Sequence, residues 1–121
     1  MQGLNSDHRN PLIDISVIKQ NCEFIEKDEM LRLIAIFEKD LKDLIIVPLS
    51  GDESRYSVPA DVEHRIRGSA AMIGAKYIAE NLIFLTKPFL QSDNRKRMSI
   101  RSLIECIEKL NEAVQCSYQR P

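Results

Sequence analysis

The chain has 121 residues, a length that one domain usually occupies and that leaves little room for a second core. Hydrophobic residues make up 44% of the sequence and charged residues 29%, which are proportions of a chain that folds. Lys and Arg number 17 against 18 Asp and Glu, so there is no overall positive charge to hold a phosphate backbone. The composition therefore disfavours general nucleic-acid binding.

The cysteines and the hydropathy argue against a disulfide-rich, membrane-spanning or secreted protein. Cys22, Cys106 and Cys116 are widely spaced and odd in number, which argues against a disulfide framework and favours a reducing cytosol. Apolar runs such as residues 44–47 are far shorter than the roughly 18 residues that span a bilayer, so we expect no membrane insertion. Residues 1–11 are polar and lack the apolar region of a secretory signal. We interpret them as a flexible arm before one cytoplasmic domain, residues 12–121.

Apolar residues three or four positions apart mark the first two predicted helices. A short helix runs from residue 13 to about residue 24. Asp28 is predicted to cap a second helix, and Pro48 and Gly51 are predicted to end it. The apolar stripe of the first consists of Ile15, Ile18, Cys22 and Ile25. The stripe of the second consists of Leu31, Ile34, Phe37, Leu41, Leu44 and Ile45.

Three more helices are predicted in the second half of the chain. The third runs from about residue 59 to residue 75, and the fourth bends or ends at Pro88, which lacks a backbone donor. We expect residues 91–99 to form a solvated loop before the last helix. The apolar stripe of the fourth helix is Tyr77, Ile78, Leu82, Leu85 and Phe89, and that of the last is Ile100, Leu103, Ile107, Leu110 and Val114. The predicted fold is all-α, an antiparallel up-and-down four-helix bundle with a short extra N-terminal helix.

The third predicted helix has an unusual outer face. A helical wheel directs one set of residues to the core, namely Val62, Ile66, Ser69 and Ile73. It directs the opposite set to water, namely His64, Gly68, Ala71 and Ala75. Exposed helix faces usually carry Lys, Glu or Arg, whereas this one carries an imidazole among small residues. Gly inside a helix costs about 1 kcal/mol relative to Ala, and here it provides clearance one turn after His64.

The chemistry available at His64 is nucleophilic. A neutral imidazole keeps one ring nitrogen free to attack an electrophile such as phosphorus. Arg67 lies one turn away on the adjoining flank, within reach of a phosphoryl oxygen on His64. The sequence has neither a glycine-rich phosphate cradle nor carboxylates spaced for magnesium. A partner must therefore bring the metal and most of the catalysis.

The segment HRIRGSAAMIGA, residues 64–75, resembles the phosphoacceptor helix of histidine phosphotransfer (HPt) domains. The shared pattern is a His, an apolar residue, a basic residue, Gly, Ser or Ala, and then Gly-Ala. These twelve positions carry the resemblance, while the helix order over residues 12–115 is compatible with the family but less specific. HPt domains accept a phosphoryl group from a receiver-domain aspartate and pass it to another receiver in multistep two-component relays.

The resemblance implies a role for each matching residue. His64 would be the phosphoacceptor, with Arg67 stabilising the phosphoryl group in place of the usual Lys. The residues implied to contact the docked receiver are Gly68, Ala71 and Ala75, and Ser69 matches a small inward position. The implied partners are response-regulator receivers and a hybrid sensor kinase. The chain would be a monomeric phosphocarrier and no enzyme, with no cofactor of its own because the receiver supplies magnesium.

The chain departs from the family pattern at two places. Arg67 replaces a compact ammonium by a planar guanidinium, a change that can alter partner choice or phosphohistidine lifetime. The family commonly has an acidic residue after the Leu-x-x-Leu spacing of the following helix. Here Leu82 and Leu85 are followed by Thr86 and then by Lys87-Pro88.

Other interpretations stay open from sequence alone. A non-catalytic helical module would bind a receiver or kinase through the same face without phosphotransfer. A small hydrolase would need a second acid/base group or a metal constellation that the sequence does not offer. Arg67 can also be a solvated charge, Gly68 can serve tight helix packing, and Ser69 can bond back to a carbonyl one turn earlier. We assign no role to His8 or to the basic residues 95–97.

Overall fold

A computed structural model describes residues 12–50, 58–85 and 93–118, and the regular structure within these ranges is helical throughout. The helices are α1 (Ile15–Phe24), α2 (Lys27–Leu41), a π-helical stretch (Lys42–Ile46), α3 (Val47–Ser50), α4 (Ala60–Ile73), α5 (Lys76–Leu85) and α6 (Asp93–Tyr118). The prediction of an all-α fold is confirmed. Among the described helices, none is both long and apolar enough to cross a membrane.

The helices pack through their apolar stripes. Both α4 and α6 contact α1, α2 and α5, so the core lies between these five helices. The predicted core-facing residues that are buried in this core are Ile18, Ile34, Phe37, Leu41, Ile45, Ile66, Ile73, Ile78, Leu82, Leu103, Ile107, Leu110 and Val114. Met30 and Cys106 are also buried and were not predicted. Burying aliphatic side chains in this way is the main favourable term for folding.

The start of α1 is fixed by a side-chain cap. The carboxylate of Asp14 accepts hydrogen bonds from the Ser16 hydroxyl (2.8 Å) and from the backbone N–H of Val17 (3.3 Å). These two hydrogen bonds favour the charged form and hold the pKa of Asp14 below its ordinary value. The backbone N–H of Asp14 also donates to the carbonyl of Gly74, at 2.9 Å. The first helix is therefore attached to the turn that follows α4.

Two predictions for the second helix are wrong. The N-cap position is Glu26, which makes no side-chain cap, so Asp28 lies inside the first turn, where its charge favours the helix macrodipole. Pro48 does not end the helical region, which continues to Ser50, while Gly51, the other predicted stop, lies outside the described residues. The π-helical turn just before Pro48 is wider than an α-turn, which accommodates a residue without an N–H and with a bulky ring.

The predicted loop over residues 91–99 is also wrong from residue 93 onward, because α6 begins at Asp93. A polar run lacks the apolar stripe that predicts a helix, yet its Arg, Lys and Met residues have good helix propensity. The N-terminal arm, the segment 51–57, residues 91–92 and the bend at Pro88 lie outside the described residues.

Candidate functional site

The helix that carries the candidate site, α4, has well-defined ends. It begins after Pro59, with acidic residues in its first turn that complement the helix dipole. It ends at Gly74, whose φ of 90° lies in the left-handed region that favours glycine. The side-chain amide of Asn21 on α1 donates to the Met72 carbonyl oxygen at 2.9 Å, so it satisfies one carbonyl of the last turn. The position of the helix is thus set at both ends.

Three residues of the predicted outer face are exposed, as the helical wheel predicts. We call them the His64 strip: His64, Gly68 and Ala71. Apart from its chain neighbours and the backbone of its own helix, a Cβ added to Gly68 would meet no atom of the described residues within 4 Å. Tight packing of another described helix therefore does not explain this glycine. What remains is a small, open surface one turn after an exposed imidazole.

The wheel misplaces two residues. Ala75 is completely buried and its backbone N–H donates to the carbonyl of Ala70, at 2.8 Å, so the prediction that it faces a docked receiver is wrong. The reason is that α4 ends at Ile73 and the chain turns at Gly74, which interrupts the 100° rotation on which the wheel depends. Ser69 is exposed and not inward, because Ala70 occupies the core position beside it.

An apolar groove borders the His64 strip on the side of α2. Its volume is about 260 Å³, and its α4 wall includes Arg65, Ser69 and Met72, each one position after a member of the strip. The α2 wall consists of Leu33, Ile36, Phe37 and Asp40. Met72 is 75% exposed and Ile36 is 49% exposed. Apolar residues outside the predicted core stripes were the sequence signal for this groove, and sequence reasoning missed it.

An ion pair between a buried carboxylate and a half-exposed guanidinium lies on the other flank of the His64 strip. The Arg67 Nε atom is 3.1 Å from Oε2 of Glu63, one turn earlier on α4. The Glu63 side chain is only 11% exposed, whereas that of Arg67 is 41% exposed. Oε2 accepts no hydrogen bond from the described residues, so the contact with Arg67 is electrostatic and lacks hydrogen-bond alignment. Sequence reasoning assigned no role to Glu63, although a Glu four positions before an Arg was a visible signal.

The cysteines and carboxylates form no second reactive centre in the part of the chain that the structure describes. Cys22, Cys106 and Cys116 are free thiols. Burial raises the pKa of the Cys106 thiol to about 11, which makes it an inert core residue at neutral pH. No group of three His, Cys, Asp or Glu side chains within the described ranges is placed to hold a metal ion.

Comparison with known proteins finds no matching family model, no matching curated protein and no matching solved structure. The functional interpretation therefore depends on the residues of α4 and on what surrounds them. These are an exposed imidazole, a small open strip, a half-exposed guanidinium and an adjoining apolar groove.

Proposed function

We propose that this chain is an HPt domain that carries phosphoryl groups between receiver domains. The observation that carries the proposal is the open space over Gly68 beside the exposed His64. A receiver aspartate is a short side chain, so its phosphoryl group reaches an imidazole only if the two protein surfaces come close together. Glycine and alanine next to the imidazole allow that approach, whereas long side chains would prevent it.

The proposed reaction is an in-line transfer. A ring nitrogen of His64 attacks the phosphorus of a receiver phosphoaspartate, so a P–N bond forms while the P–O bond to the aspartate breaks. The aspartate leaves as a free carboxylate and keeps the electron pair of the broken bond. In the return step, an aspartate of a second receiver attacks the phosphohistidine and the imidazole leaves. The receiver's magnesium and the close positioning of the two groups supply most of the catalysis.

Arg67 is proposed to stabilise the phosphoryl group on His64. It lies three residues after His64, which places the two side chains on neighbouring positions of one turn. A guanidinium forms charge-assisted hydrogen bonds with phosphoryl oxygens. Its half-exposed position leaves it accessible from the solvent side, where the phosphoryl group would be.

The receiver is proposed to dock on the His64 strip and on the apolar groove beside it. The exposed Met72 and Ile36 side chains would be covered by apolar receiver residues, which adds binding energy next to the reacting atoms. This surface replaces the three-residue set implied by the resemblance, because Ala75 is buried.

The proposed architecture follows the family resemblance. We infer that α2, α4, α5 and α6 constitute the antiparallel four-helix bundle of an HPt domain over residues 12–121, with α1 as its extra N-terminal helix. The domain would act as a monomer in the cytoplasm, and its partners would be response-regulator receivers and a hybrid sensor kinase. It would need no cofactor of its own.

Phosphotransfer from a panel of phosphorylated receivers tests the proposal. At least one receiver should label the wild-type chain with an acid-labile, alkali-stable phosphoryl group. His64→Gln should abolish the label without unfolding the chain, because the replaced side chain is exposed. His8→Gln is the matched control and should keep the label. Equal labelling of His64→Gln and wild type would overturn the site assignment. A receiver that binds but transfers nothing would favour the non-catalytic module.

A further inference from the structure

The phosphoacceptor role of His64 does not account for Glu63. Within the described ranges it is the one charged residue among those that are buried, and it lies on the core side of α4. Burying a carboxylate is unfavourable unless a charge of opposite sign compensates it. A Glu at this position therefore needs a reason, and its contact with Arg67 supplies one.

Arg67 lies between Glu63 on one side and His64 on the other. The Nε atom of its guanidinium lies 3.1 Å from Oε2 of Glu63, an ion pair without hydrogen-bond alignment. Of the five N–H donors of a guanidinium, Nε carries one and the two terminal nitrogens carry four. On a helical wheel Arg67 lies between the other two residues, about 40 degrees from Glu63 and about 60 degrees from His64. Among the described residues no ion pair involves its terminal nitrogens, so they are the part of the group that can face an anion on His64.

We propose, building on the proposed function, that Glu63 is a positioning residue that holds Arg67 by its Nε edge and keeps the terminal nitrogens available to the phosphoryl group on His64. The pair also explains the departure from the family's usual Lys. A Lys at position 67 would bring one compact ammonium, and the buried carboxylate would compete with the phosphoryl group for that single charge. The planar, forked group serves both partners at once.

This role makes an unusual prediction about pairs of substitutions. In the wild-type background, Glu63→Gln keeps the shape of the side chain but removes the charge that holds Arg67, so transfer should slow by about tenfold. In the Arg67→Lys background the same substitution should accelerate transfer, because it releases the ammonium from the buried carboxylate. A residue that only supports the helix would slow transfer in both backgrounds.

The test measures phosphotransfer from one phosphorylated receiver to wild type, Glu63→Gln, Arg67→Lys and the double variant. Rates at saturating receiver should change, while the receiver concentration that gives half-maximal rate stays near that of wild type. Arg101→Gln is the matched control, since it removes an exposed charge from α6, outside the His64 strip and the groove. Circular dichroism shows whether each variant is folded.

The outcomes separate this inference from the proposed function. If His64 is labelled in wild type but Glu63→Gln transfers at the wild-type rate, or slows both backgrounds alike, the positioning role is wrong and the relay stands. If Glu63→Gln does not fold, the comparison of Arg67→Lys with wild type still tests the inference. Equal phosphotransfer rates for these two proteins would overturn it. If wild type is never labelled on His64, the proposed function itself fails.

Discussion

The side chain of Ile18 on α1 packs directly against the backbone of Gly74, so that a Cβ on the glycine would lie 2.8 Å from Ile18 Cγ1. The same Cβ would lie 3.2 Å from the carbonyl oxygen of Asp14. This contact lies at the turn between α4 and α5, and it fixes where the helix bearing His64 ends. It also distinguishes Gly74 from Gly68, which has open space above it.

Gly74→Ala should destabilise the protein. The residue has a φ of 90°, which is unfavourable for a side-chain-bearing residue, and the new Cβ would clash with Ile18. The expected loss is about 1–3 kcal/mol in the free energy of unfolding, measured by urea denaturation. Wild-type stability in this variant would show that the turn is not as tight as described.

Gly68→Ala, in contrast, should stabilise the protein. The residue lies inside α4 with nothing near the position of its Cβ, so the substitution should raise the free energy of unfolding by up to about 1 kcal/mol. Gly68→Gln should be similarly stable but should slow phosphotransfer, because a long side chain occupies the docking strip. Urea denaturation and receiver-dependent labelling measure the two effects. A fall in stability on Gly68→Ala would mean that the glycine serves packing after all.

Arg67→Ala should lower stability by about 1–3 kcal/mol, because it leaves the Glu63 carboxylate buried without its countercharge. Adding Glu63→Met to that variant should restore much of the loss, since an apolar side chain of similar size needs no partner. The measurement is the midpoint of urea denaturation for the two single variants and the double variant. An unchanged midpoint for Arg67→Ala would show that solvent already compensates the carboxylate.

The protein should lose stability as the pH rises from about 9 to about 11, partly through Cys106. The thiol has an ordinary pKa of 9.0, and burial raises it to about 11 in the folded chain. Between these values the unfolded chain has released the proton and the folded chain still holds it, so unfolding becomes more favourable as the pH rises. The loss in the free energy of unfolding that comes from Cys106 is at most about 3 kcal/mol. Denaturation curves at several pH values should show a weaker dependence in Cys106→Ala, and equal slopes would contradict this origin.

The helical period was enough to predict the all-α fold and the exposure of His64, Gly68 and Ala71. The helical wheel assumes an uninterrupted helix, but the chain turns at Gly74. It therefore predicts that Ala75 is exposed, whereas Ala75 is buried. The start of α6 was missed because a polar helix has no apolar stripe to reveal it.

The burial of Glu63 and the groove beside the His64 strip depend on tertiary contacts that a sequence pattern does not reveal. Charged residues are almost always exposed, so the burial of Glu63 was not foreseen; its contact with Arg67 helps to compensate the buried charge. The groove beside the strip needs two helices to form, and the pairing of α2 with α4 follows from packing over a long sequence separation.

A chase experiment tests whether the chain passes its phosphoryl group on to a receiver. The wild-type chain is loaded with labelled phosphate from one receiver, separated from it, and mixed with a second, unphosphorylated receiver and magnesium. We predict that the label leaves His64 and is recovered on the receiver as an alkali-labile aspartyl phosphate. A label that stays on the chain, or that is released only as inorganic phosphate with every receiver in the panel, would contradict the proposal that this protein is a phosphocarrier.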